Sequence, residues 1–361
     1  MYEEALEYSL RAIRVDSTDY GAWNNLGIIR RELGDTTAFV EAMTRSADLV
    51  PHLPGQRMRL ALVCTEARRP REALEALAEV TGPAPWHVDE SVDMYELIAV
   101  AAGEAQDARW GEEAGRVLIA RGSTDYRALS AAAWAMCQYD HEHGTVSAEA
   151  DSSLVLALVR RARSVAPDDV YSRQKLAKCA GAVTDHELAL ELALEMIETA
   201  PEKTNGYNAA AATSSSLGRP KAAEDYARQA LAIDPDDGPA LYNLGKSLRV
   251  QTRYEEAAAT LERAVTGGDV SVPARAELAL SLAGAGRHNE ALEVGRAAVR
   301  DDVPYSLFVL QRLGRHYRDA GDMERTRETF RASREVAEEA GVDHWGSTVE
   351  EWLTDERLLS E

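Results

Sequence analysis

Apolar residues along this chain recur at i, i+3, i+4 and i+7, the spacing that places them on one face of an α-helix. Leu241, Leu244, Gly245 and Leu248 follow it, and Ala257, Leu261 and Ala264 form a second such face shortly afterwards. Polar residues separate the two faces, so the pattern predicts pairs of amphipathic helices rather than strands. These pairs recur at a fixed interval. With Tyr20 as position 1 of a unit, the next unit starts at Pro54, and after a gap the frame returns at Val170, Thr204, Gly238 and Val272, evenly spaced by that same interval. One inserted residue gives a final unit from Leu307.

Small residues and helix breakers keep the same phase. Position 8, where the first helix must approach its neighbours, holds Gly27, Ala61, Ala177, Ala211, Gly245, Ala279 and Gly314. Position 20, early in the second helix, holds Ala73, Ala189, Ala223, Ala257 and Ala291, with Phe39 and Thr326 departing from the pattern. Gly34, Gly218, Gly286 and Gly321 stand at position 15, where a left-handed residue ends the first helix. Pro51, Pro85, Pro201 and Pro235 at position 32 end the second.

The segment Trp23-Asn24-Asn25-Leu26-Gly27, followed by Leu33-Gly34-Asp35 and Pro51, resembles the tetratricopeptide repeat (TPR), whose period matches the interval between these units. The resemblance implies an all-α fold, a right-handed α-solenoid of antiparallel helix pairs in which stacked neighbours bury one another's apolar faces. Residues 1–19 read as the second helix of an incomplete unit and 20–87 as two units. Residues 88–169 read as two degenerate units off the regular spacing, with an enlarged loop near 139–149. Four units follow over 170–305, a final one over 306–340, and a C-terminal capping helix over 343–360 with Trp345, Val349, Trp352 and Leu353 on its buried face.

Composition narrows the functions. The 361 residues carry a formal net charge of -21, which repels phosphate backbones and argues against a nucleic-acid partner. No apolar run approaches the ~18 residues that cross a bilayer, so no membrane partner is expected. The N-terminus lacks a secretory signal pattern, and Cys64, Cys137 and Cys179 are odd in number and far apart; both point to a cytoplasmic protein with reduced thiols.

In TPR arrays the first helices line the concave face, with positions 2, 5, 9 and 12 on the inner side. Those positions hold Gln174 and Lys178, Asn208, Tyr242, Lys246 and Arg249, then Gln311, Arg315 and Arg318, with no carboxylate among them. Ala276, Leu280 and Ala283 interrupt the stripe. A cationic groove of this kind would take an acidic peptide or protein segment, Asn208 bonding its backbone and Lys178, Lys246 and Arg249 its carboxylates. Lys178 and Asn208 do not match the order of a TPR carboxylate clamp, and Ala212 stands where that clamp would need Asn. The N-terminal surface, Asn24, Ile28, Arg31, Met58, Leu62 and Thr65, is more apolar: it could take an amphipathic helix, be covered by the missing N-terminal helix, or serve as a homo-oligomer face.

No phosphate-cradling loop, nucleophile elbow or His-Glu-x2-His occurs, so the expected function is a non-enzymatic scaffold with no cofactor and no metal. Two alternatives stand beside it. The chain could be the peptide-sensing domain of a larger regulatory protein, or Cys137, His141 and His143 could form a metal-dependent enzyme site within 125–150.

Overall fold

The computed structural model describes residues 2–81, 92–140, 145–147, 151–165, 170–267, 272–297 and 303–340. The expected capping helix at 343–360, and His141 and His143, lie outside them. The described residues form an all-α protein of 19 helices with two three-residue strands. They fall into two compact units, residues 1–139 with 146–184 and residues 140–145 with 185–361.

The first compact unit contains α1 (Tyr2–Val15), α2 (Tyr20–Glu32), α3 (Thr36–Leu49), α4 (Pro54–Glu66), α5 (Pro70–Thr81), α6 (Val92–Ala105), α7 (Ala108–Arg121), α8 (Tyr126–Met136), α9 (Ser152–Val165) and α10 (Val170–Ala182). Short strands β1 (Gln138–Asp140) and β2 (Thr145–Ser147) pair between α8 and α9. Each helix packs on the next, and α4, α6, α8 and α10 also pack on one another in that order, as stacked first helices must. Helix α1 has no buried residue; Tyr8 and Val15 are exposed, and Tyr2 Oη donates to Glu32 Oε2 at 3.4 Å.

The second compact unit contains α11 (His186–Thr199), α12 (Thr204–Ser216), α13 (Pro220–Ile233), α14 (Gly238–Val250), α15 (Tyr254–Thr266), α16 (Val272–Gly284), α17 (His288–Ala297), α18 (Val303–Asp319) and α19 (Met323–Ala340). Here α12, α14, α16 and α18 stack. Leu261, Leu278, Leu282, Leu307, Leu310 and Leu313 fill one continuous core between them. Helix α18 begins at Val303, ahead of the start expected at Leu307, because Pro304 fits the first turn of a helix, where no backbone N–H is needed.

Local chemistry explains where the helices start and stop. Asp19, Asp35, Asp107, Asp125, Asp185 and Asp237 each cap a helix by accepting a backbone N–H in its first turn. Position 15 is left-handed in every unit with a described turn: Gly34, Gly218, Gly286 and Gly321 have φ of 78°, 68°, 80° and 76°. Arg68, Gln106, Thr184 and Thr252 adopt the same conformation without being glycine, with φ of 57°, 54°, 64° and 62°.

Gln106 exposes a correction. The expectation that 88–169 abandons the repeat spacing fails for its first half, because α6 starts at Val92 and α8 at Tyr126, one full repeat apart. Within that frame Ala99 and Ala133 occupy position 8 and Gly111 position 20, all buried. The start at Val92 is later than the frame from Pro54 would place it, and Gln106 stands where glycine was the expected marker. The second half does depart. Helix α3 starts at Thr36, just beyond the end of α2 at Glu32, whereas α8 ends at Met136 and α9 starts only at Ser152, with β1 and β2 in the insertion.

Candidate partner-binding surfaces

The second compact unit carries most of the residues expected in the groove. On α14, Lys246 Nζ stands 6.0 Å from the centre of the Tyr242 ring, one helical turn away, and makes no ion pair among the described residues. Arg249, one turn further on, is engaged differently. Its Nε donates to Glu277 Oε2 on α16 at 2.5 Å, and Arg312 Nη2 on α18 reaches Glu277 Oε1 at 3.4 Å. Glu277 is 2% exposed. A carboxylate buried to that degree costs several kcal/mol unless it is paired, so the two guanidiniums on the neighbouring first helices are structural counter-ions as well as surface cations.

Neither Glu277 nor Arg312 follows from the inward-facing positions of the repeat, since both stand at position 6, beside them. One signal was available: Glu277 is a lone carboxylate inside the run Ala276 to Ala283 of α16. A charge in such a run needs a partner. Arg312 also stacks on Phe308, its guanidinium carbon 6.0 Å from the ring centre.

The other expected residues are distributed as follows. Arg315 is exposed and makes no ion pair among the described residues, whereas Arg318 lies 4.0 Å from Asp319. Gln311 is buried, 3% exposed. Asn208 Nδ2 donates to Asp237 Oδ1 at 2.9 Å, the same oxygen that caps α14, and Asn243 Nδ2 donates to the Asn208 carbonyl at 3.3 Å. Half-buried Gln174 and exposed Lys178 stand on α10, in the first compact unit.

That first unit holds a cavity of about 750 Å³ that the sequence did not suggest. It lies along the stacked first helices. Its lining includes Glu66 from the end of α4, Glu104 from the end of α6, Arg127 from the start of α8, Trp134 of α8 and Lys175 from α10; Arg68 adds a cation from the α4–α5 turn. Lys175 Nζ stands 5.9 Å from the Trp134 ring centre. The wall between α6 and α8 is close-packed, and Gln106 Nε2, just past the end of α6, donates to the Gly103 carbonyl of its own helix (3.0 Å) and across to the Trp134 carbonyl of α8 (3.5 Å). In the corrected frame Trp134 occupies position 9, the same position as Lys246. The missed register of 92–125 is why the cavity was not legible.

The thiols are inert by placement. Cys64, Cys137 and Cys179 are all buried. Burial pushes the Cys64 thiol up to about 11, and a hydrogen bond with Cys137, reinforced by burial, holds Cys179 well above the ordinary thiol range. Among the described residues no group of His, Cys, Asp and Glu could hold a metal, and no helix is long and apolar enough to cross a membrane.

One tetratricopeptide repeat family model matches residues 216–267 and another matches residues 242–306. No curated protein matches the chain. Among solved structures, MamA from Desulfovibrio magneticus RS-1 is 19% identical, covering 49% of this chain and 99% of that one, with a TM-score of 0.39. YrrB, described as a TPR protein with an unusual peptide-binding site, is 22% identical, covering 49% and 91%, with a TM-score of 0.38. A thermophilic TPR protein of Thermus thermophilus is 21% identical, covering 45% and 90%, with a TM-score of 0.40.

Proposed function

Because the chain is a tetratricopeptide-repeat protein, a protein-interaction scaffold, we propose that the first helices of its second compact unit bind an acidic peptide segment of a partner protein, without catalysis of their own. The observation that carries this is the charge balance around Glu277. Two guanidiniums share one buried carboxylate, which leaves a surplus positive charge held in place, and Lys246 and Arg315 add two cations with no ion pair among the described residues. On a protein of net charge -21 that concentration of positive charge favours an anionic ligand.

Glu277 supports the surface in a second way. By pairing with Arg249 and Arg312 it restricts two flexible side chains before any partner arrives, which lowers the ordering cost of binding. Tyr242 and Phe308 supply the apolar ground on which such a segment would rest. The buried thiols suit a reducing, cytoplasmic setting.

The test is fluorescence anisotropy of a labelled Glu-rich peptide against the full chain and its Lys246→Glu/Arg315→Glu variant. Charge reversal is expected to weaken binding by roughly tenfold or more and to flatten its salt dependence, with helicity by circular dichroism unchanged. Equal affinity of the two proteins would remove the assignment.

A further inference from the structure

Helix α1 differs from the second helices of later repeats. In α3, α13 and α15, position 20 (Phe39, Ala223, Ala257) and position 27 (Ser46, Ala230, Ala264) are buried. Each of those helices lies between two first helices, α3 between α2 and α4, α13 between α12 and α14, and α15 between α14 and α16. In the same frame the residues of α1 are Ala5 and Ala12, and α1 packs on α2. Leu6, Leu10 and Ile13 are half-buried there, but Ala5 is only half-buried and Ala12 is exposed. Tyr8 is 70% and Val15 90% exposed. Ala5, Tyr8, Ala12 and Val15 follow one another at i, i+3, i+7 and i+10, so they form one apolar stripe along the helix, on the side that a first helix covers in later repeats.

The charge along α1 identifies what complements this stripe. Glu3, Glu4 and Glu7 occupy the N-terminal half of the helix and Arg11 and Arg14 the C-terminal half, all of them exposed, with no cation in the first half and no carboxylate in the second. Glu7 and Arg11 pair with each other at 2.6 Å, whereas Glu3, Glu4 and Arg14 make no ion pair among the described residues. A helix with this arrangement is complementary to its own reversed copy. Turned end for end about its midpoint, it sets Glu3 opposite Arg14 and Ala5 opposite Ala12, with Tyr8 near the axis, and every contact occurs twice, as two-fold symmetry requires. The two alanines allow the helices a close approach. Parallel pairing would instead set carboxylates beside carboxylates.

We propose that α1 is a self-association surface: a second copy of the chain docks its own α1 antiparallel on this stripe, burying Ala5, Tyr8, Ala12 and Val15 of both copies and pairing Glu3 and Glu4 of each with Arg11 and Arg14 of the other. The second copy's helix takes the place that a first helix takes over α3, α13 and α15. A helix of 14 residues is ~21 Å long, so the contact is small, below the ~1,200 Å² of standard interfaces, and the dimer is a reversible one of roughly micromolar strength. The flanking charges select the orientation more than they add affinity.

The experiment is sedimentation equilibrium of the full chain over a range of concentrations. The parent is expected to pass from monomer to dimer between about 1 and about 100 µM. Tyr8→Glu, at a residue exposed in the monomer, should weaken the dimer by roughly tenfold or more with circular dichroism unchanged. Two charge-swapped chains carry the specific test. Glu3→Arg/Glu4→Arg and Arg11→Glu/Arg14→Glu should each stay monomeric alone, because like charges then face each other, and their equimolar mixture should regain the dimer. The Lys246→Glu/Arg315→Glu variant should dimerise as the parent does, which separates this surface from the acidic-peptide one. A parent that is still monomeric at about 100 µM would overturn the proposal and give the face to another occupant, a preceding segment or a different protein. A dimer untouched by Tyr8→Glu, or charge-swapped chains that do not recover on mixing, would overturn it as well, by putting the contact on another face or in another orientation.

Discussion

A left-handed backbone costs a β-branched residue about 1–2 kcal/mol that glycine does not spend. Thr252 holds φ of 62° at the α14–α15 turn, where its N–H donates to the Arg249 carbonyl at 2.9 Å. Thr252→Gly should therefore stabilise the protein by roughly 0.5–1 kcal/mol, the relief of strain exceeding the extra chain entropy of glycine. A chemical-denaturation midpoint that fails to rise would refute this. Arg68, Gln106, Thr184 and Thr252 are likewise left-handed at position 15 without being glycine, because tertiary stacking holds the turn even when its sequence does not favour it. Phe39 makes the reverse point at position 20. It is accommodated, 5% exposed, because Gly27 across the pair leaves room for it and for Met43.

Between elements, stability depends on how closely first helices approach. A Cβ on Gly103 would stand 2.8 Å from the Ala131 carbonyl oxygen and 2.9 Å from the Ala131 Cβ, and a backbone atom cannot swing aside as a side-chain tip can. Gly103→Ala should cost roughly 1–3 kcal/mol by forcing α6 from α8, and should open the wall of the cavity. Gly181→Ala in α10 is the control, since nothing lies within 4 Å of its added methyl and helix propensity then makes the change neutral or favourable. Equal melting temperatures for the two variants would contradict the packing argument. Helix positions followed from periodicity, caps and proline, which are local signals. The approach of α6 to α8 was not legible, because a short insertion ahead of Val92 displaced the frame in which Gly111 and Ala133 read as packing positions.

For the whole molecule, acid stability rests on paired carboxylates. Glu224 on α13 is 8% exposed; burial alone would raise its pKa, but Arg228, Gln251 and Arg253 donate to it at 2.8–3.0 Å and together pull it down to about 2. A depressed carboxylate stabilises the folded state above its unfolded pKa, so this contribution is present above about pH 4.5 and is lost as pH falls toward 2. Glu224→Gln should lower stability at pH 7 by ~2 kcal/mol and flatten the decline between pH 4.5 and 2, as read from melting temperatures across that interval. A parallel decline in both proteins would show that the network contributes nothing. The network ties α13 to α15 and the end of α14 through residues 27 and 29 positions apart, a separation that only repeat stacking brings together. By itself the sequence determined the helical repeat, the turns and the small residues that let helices stack, because each is a local pattern of size, polarity and backbone preference. Tertiary structure decided which charges are free. Glu277 takes Arg249 and Arg312 from positions 28 and 35 residues away, while Glu66, Glu104 and Arg127 face one cavity with no ion pair among the described residues, and no local pattern encodes which side chains from successive repeats meet across a groove.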